Sequence, residues 1–151
     1  MKQINSGTFE YFLFLEKKNR PLFNRLYEER GWQLLERSDG KEYDAIINKG
    51  KFTLKVEEKY RPKIWDDILV ELVQDIETDS PGWLYYTKVD ILLYMMANRV
   101  YVLNTQKLRK YIRENLAYLN TSISKKGWGT TKFAVLPIYL LRINNLGYRV
   151  K

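Results

Sequence analysis

A chain of 151 residues with 45% apolar and 29% charged side chains is long enough to close a hydrophobic core and too apolar to stay disordered, so a single domain over 1–151 is expected. Cysteine and histidine are both absent, which excludes zinc sites built on those ligands, serine–histidine and cysteine–histidine nucleophile systems, and disulfide scaffolds. The formal net charge of +8 favours polyanionic partners, because clustered Lys and Arg displace counterions from a phosphate backbone.

In chain order, Asn5-Ser6-Gly7-Thr8 offer N-cap side chains to a helix whose apolar positions Phe9, Phe12, Leu13, Leu22 and Leu26 recur at helical spacing. Pro21 is expected to break or kink that helix into two pieces, and Gly31 to end it. Residues 32–37 form a short strand candidate, followed by turn chemistry at Ser38-Asp39-Gly40-Lys41. A strand over 43–47, a turn over 48–51 and a return strand over 52–60 read as a hairpin. In the return strand Phe52, Leu54 and Val56 alternate with Thr53, Lys55 and Glu57, which gives it two distinct faces.

Residues 65–76 admit two readings. Trp65, Ile68, Leu69, Leu72, Val73 and Ile76 make a helical stripe, while the run 68–73 also suits a buried strand. Pro81-Gly82 is a turn, and residues 83–96 are rich in aromatic and aliphatic side chains. A strand over 100–103 precedes a helix capped by Thr105, with Leu108, Tyr111, Ile112 and Leu116 on one face. Residues 121–131 read as a polar loop, 133–141 resume apolar character, and the basic tail is expected to be loosely held. The longest nearly uncharged run, residues 91–98, is too short to span a bilayer, and no signal-peptide pattern precedes it. A soluble, cytoplasmic protein with no membrane partner is therefore expected.

The chemically informative stretch is Tyr43-Asp44-Ala45-Ile46-Ile47, a turn, and then Val56-Glu57-Glu58-Lys59. A hairpin brings Asp44 to the edge where Glu57 and Lys59 lie, and the latter two, two residues apart on a strand, share a face. Two carboxylates supply the hard oxygen ligands that Mg²⁺ prefers, and a lysine beside them can orient a water and offset charge developing on a phosphate. A turn-capping Asp44 and a solvated Glu57–Lys59 pair would explain the same residues without any chemistry.

These residues resemble the PD-(D/E)XK nuclease superfamily, whose restriction-endonuclease-like core runs helix, three-stranded meander, helix, strand. Asp44 and Glu57-Glu58-Lys59 match its motif, and the blocks Asp67-Ile68-Leu69-Val70-Glu71, Pro81-Gly82-Trp83 and Thr87-Lys88-Val89-Asp90 look like those of small members. Tyr43 stands where the motif has proline, and its usually apolar X is Glu58, which points either to a wet strand end or to a different register. The family order makes 67–73 a strand.

The resemblance implies an α/β fold with a mixed central sheet flanked by helices, and hydrolysis of phosphodiester bonds in DNA with Mg²⁺ or Mn²⁺. Asp44 and Glu57 would bind metal and Lys59 would position the attacking water. Glu10, on the first helix, and Glu71 are additional carboxylate candidates. Lys88, Lys125 and Lys126 are candidate nucleic-acid contacts, and Trp83, Tyr85 and Tyr86 could stack on unpaired bases, although aromatic residues at that density are more often core. Members of the superfamily often act as homodimers that cut two strands. The rival readings are a non-catalytic nucleic-acid-binding module of the same fold, and a nuclease for RNA or for branched structures similar to Holliday junction resolvases.

Overall fold

The structure is a computed structural model that describes the backbone of residues 9–38 and 42–151 and the side chains of 18–38 and 42–151. The expected caps at Asn5 to Thr8, most of the Ser38 to Lys41 turn and the Glu10 side chain lie outside the described residues. The element order is α1 (Phe9–Glu29), β1 (Gln33–Arg37), β2 (Ala45–Lys49), β3 (Phe52–Arg61), β4 (Asp67–Asp75), β5 (Ser80–Pro81), α2 (Trp83–Tyr86), β6 (Ile91–Met96), β7 (Arg99–Asn104), α3 (Thr105–Asn115), a short 3₁₀ turn, β8 (Asn120–Lys126), β9 (Gly129–Pro137), α4 (Ile138–Ile143) and β10 (Gly147–Arg149).

Two sheets result. The first has the order β1-β2-β3-β6-β7-β10, antiparallel throughout except for the parallel pair β3–β6, and the second has the order β5-β4-β9-β8. The fold is thus mixed α/β, with a mixed central sheet flanked by helices, as expected. Among the described residues no helix is long and apolar enough to cross a membrane.

Helix α1 runs unbroken through Pro21, contrary to the expected break. Proline removes one amide donor, but Phe23, Leu26 and Tyr27 beyond it are buried at helical spacing against Ala45, Ile47, Val56, Leu93 and Met95, and that packing holds the following turns. Gly31 then ends the segment in the left-handed region, at φ +76.

On β3 the alternation separates two environments. Val56 faces α1 with Leu93 and Met95, while Leu92, Tyr94 and Met96 of the neighbouring β6 belong to the other core, shared with the second sheet. Glu57 is paired with Leu92 and Lys59 with Tyr94, so both lie on the side of the second sheet.

The segment with the helical stripe is a strand. In β4, Ile68, Val70 and Leu72 are buried in alternation with less buried neighbours, because pairing with β9 over Asp67↔Pro137 to Glu71↔Phe133 rewards a period of two. Where the resemblance implies a helix between the meander and the next strand of the central sheet, the chain instead makes β4, β5 and a helix of 4 residues.

Three further expectations are corrected. Residues 121–131 are not a loop but most of the β8–β9 hairpin, which pairs from Asn120↔Val135 to Lys126↔Gly129. The tail is held rather than loose: β10 adds to β7, Val150 N–H donates to Val100 O at 2.8 Å, and Leu146 is buried. The cap of α3 is Asn104, whose side chain accepts from Lys107 N–H, and Thr105 is the first helical residue.

Candidate active site

The β2–β3 hairpin brings Asp44 and Glu57 to adjacent backbone positions. Ala45 pairs with Val56, and Asp44 N–H also donates to Val56 O at 2.9 Å. The Asp44 carboxylate accepts Glu58 N–H at 2.7 Å, at the point where the two strands part. One residue away along β3, Glu57 is buried to 9% exposure and its Oε1 lies 3.2 Å from Lys59 Nζ. The Lys59 side chain stays 38% exposed, so its stem is covered while its ammonium reaches solvent.

Glu58, the X of the motif, is not at a wet strand end. It is buried on the α1 side, held by Arg37 from β1 through bonds of 2.7 and 3.1 Å and by the Tyr27 hydroxyl from α1 at 2.6 Å. The forked guanidinium suits a carboxylate's two oxygens. Burial holds the Glu58 carboxyl above its ordinary value, with the bonds from Arg37 and Tyr27 pulling it down and Asp44 pushing it up. Burial and the neighbouring Glu58 carboxylate likewise hold the Tyr27 phenol well above its usual range. The sequence reading missed Arg37 and Tyr27. The signal for them was the charged X itself, since a carboxylate on a core-facing position demands a cation and a donor.

On the other side of β3, the second sheet supplies Glu71 and Lys126, and α2 supplies Tyr86. Glu71 accepts the Trp83 N–H at 2.9 Å, which fixes α2 against β4. The half-exposed Tyr86 phenol is raised by burial and by Glu71, with Lys59 opposing and Glu57 reinforcing the shift. Lys126 is lowered by burial, opposed by Glu71 and reinforced by Lys59. Glu57, Lys59, Glu71, Tyr86 and Lys126 thus lie within electrostatic reach of one another.

The remaining candidates fall elsewhere or do other work. Lys125 is exposed at the tip of the β8–β9 hairpin. Lys88 is exposed and lines a cavity of about 490 Å³ with Asp90, Asn104, Gln106 and Arg109. The Asp90 side chain accepts the Lys55 N–H at 2.8 Å and braces the start of β3's inner half. Trp83 is core, with Leu84 beside it, and Tyr85 is partly buried.

Asp44 and Glu57 are hard oxygen donors of the kind Mg²⁺ takes, and an ion held by one or two carboxylates completes its shell with waters and substrate phosphate. Among the described residues no group of three or more carboxylates gathers to form a larger cage. By donor chemistry Asp44 and Glu57 are each suited to an open site of that sort, with Asp44 held by the Glu58 amide and Glu57 by Lys59. Comparisons of the chain with protein-family models, curated proteins and solved structures return no match.

Proposed function

We propose that this protein is a metal-dependent nuclease of the PD-(D/E)XK type, with a restriction-endonuclease-like core, that hydrolyses phosphodiester bonds in DNA. The observation that carries the reading is the Glu57–Lys59 pair at 3.2 Å on β3, set beside Asp44 where β2 and β3 diverge. Asp44 and Glu57 are the residues that would hold Mg²⁺ or Mn²⁺. A bound ion of this sort lowers the pKa of a coordinated water and offsets phosphate charge.

Lys59, positioned by Glu57, keeps its ammonium at the surface, where it orients water and stabilises charge building on the phosphate oxygens. The Glu58 amide holds the Asp44 carboxylate in place. Burial around Glu57 excludes bulk water and strengthens these electrostatic contacts.

The decisive assay incubates linear, nicked, branched and single-stranded DNAs and RNAs with Mg²⁺, Mn²⁺ or EDTA. Metal-dependent cleavage by the wild type is expected. Asp44→Asn and Glu57→Gln each lose at least about a hundredfold, given that even outer-shell partners of a metal can cost that much. Glu58→Gln keeps one acceptor oxygen where the carboxylate offers two to Arg37 and Tyr27, so it is expected to lose stability while retaining activity. Calorimetric titration with Mn²⁺ separates ligands from bystanders, and wild-type-like metal binding by Asp44→Asn would remove that residue from the site. The second reading, a non-catalytic nucleic-acid-binding module, is favoured by one observation, the small number of carboxylates at the site among the described residues. Binding without cleavage in every metal would establish it.

A further inference from the structure

Glu71 of β4 and Phe133 of β9 are directly paired and so share a face of the second sheet, opposite to the face that buries Ile68, Val70 and Leu72. Lys126 Nζ lies 5.4 Å from the Phe133 ring centre and 5.3 Å from that of Trp128. Trp128 is 36% exposed and Tyr86 is 44% exposed. Next to Lys59 on the same face of β3, Arg61 stacks at 4.5 Å on Trp65, which is 47% exposed. Tyr86 and Lys126 also lie within electrostatic reach of Lys59, so exposed aromatic residues, two of them with a cation over the ring, stand on this side of β3.

That combination suits one kind of polyanion. Paired bases are stacked on one another and present only their edges, so an accessible ring gains little from a duplex. Unpaired bases offer their own faces, and stacking on protein rings is tolerant of sequence. Lysines interleaved with those rings follow the backbone.

We propose that Tyr86, Lys126 and Trp128 form a stacking clamp for unpaired nucleotides, which makes single-stranded DNA the substrate presented to Glu57 and Lys59. The proposal rests on the nuclease reading for its consequence but not for its binding step.

The test measures affinity in EDTA, where cleavage cannot interfere, for an oligothymidylate and for a duplex of the same length. Wild type binds the single strand more tightly and quenches tryptophan fluorescence on doing so. Trp128→Ala weakens single-strand binding about tenfold, the loss expected for one stacked base, and Trp128→Phe, which keeps a ring face, restores most of it. Tyr86→Leu weakens it to a similar degree. Melting curves for each variant verify that the fold is intact. Equal affinity for strand and duplex, or a folded Trp128→Ala with wild-type affinity, overturns the clamp. Ring-dependent single-strand binding without metal-dependent cleavage supports the clamp while removing the nuclease. Metal-dependent duplex cleavage with no single-strand preference does the reverse.

Discussion

Glu57 and Glu58 are neighbours whose surroundings differ because β3 alternates. Glu57 meets Lys59 on the face of β3 turned toward the second sheet, and Glu58 meets Arg37 and Tyr27 beneath α1. Replacing Glu58 would be stabilising if its charge were buried and unpaired, and that condition is not met. The informative variant is instead Arg37→Met, which leaves the carboxylate buried with Tyr27 alone. Removing one partner of a buried pair costs about 3 kcal/mol, expected here at neutral pH in urea unfolding. The Glu58 carboxyl is already raised above its ordinary value of 4.5 by burial, and losing Arg37 raises it further. A carboxyl with a higher value in the folded than in the unfolded state favours folding below the unfolded value, and that contribution disappears as pH rises through the folded one. The deficit of Arg37→Met should accordingly shrink as the pH falls toward 4.5. A deficit independent of pH would break the link between Arg37 and Glu58.

At the level of elements, the hairpin β2–β3 and the helix α3 were legible because local chemistry and tertiary demand agree there: an Asn-Lys-Gly turn with Gly50 at φ +60, and an apolar stripe ending in Leu108 and Ile112. Residues 67–75 were not legible from periodicity. Their stripe fits both periods, and only the partner strand β9, some sixty residues away, decides between them. The β8–β9 hairpin was hidden for a related reason. Its first strand is exposed and carries Thr, Ser and Lys in place of an apolar alternation. In the candidate site, the placement of Asp44 next to Glu57 in the hairpin register and of Glu57 with Lys59 on one face of β3 was readable from strand spacing. The approach of Glu71, Tyr86 and Lys126 was not, since it depends on how the second sheet meets the first.

Gly82 fixes how α2 sits on β4. A Cβ there would lie 2.4 Å from the Leu72 carbonyl carbon, and Gly82 N–H donates to Leu72 O at 2.9 Å. Gly82→Ala must push α2 off β4, at about 2 kcal/mol by analogy with other overpacked sites. It also disturbs the Glu71 bond to Trp83. Thermal melting should show the loss, and a variant as stable as wild type would mean that the contact between α2 and β4 yields easily.

At the scale of the whole molecule, the charge of +8 sets how nucleic acid is held. Affinity should fall steeply and linearly on a log–log plot against salt, since each phosphate contact releases close to one counterion. Lys125→Ala with Lys126→Ala should flatten that slope by up to about two contacts. Binding indifferent to salt would rule out backbone recognition.

The order in which the chain builds its two sheets carries a consequence of its own. It lays down β1 to β3 of the first, then β4 and β5 of the second, returns for β6 and β7, leaves again for β8 and β9, and comes back for β10. A break at any crossing from one sheet to the other divides the six-stranded sheet between two fragments. Neither piece then owns a complete set of neighbours, and shape returns only if the pieces find each other again. The smallest portion that proteolysis, truncation or recombination can pass on intact is accordingly the whole interleaved set of strands, with the face of β3 bearing Glu57 and Lys59 kept or lost together with both cores.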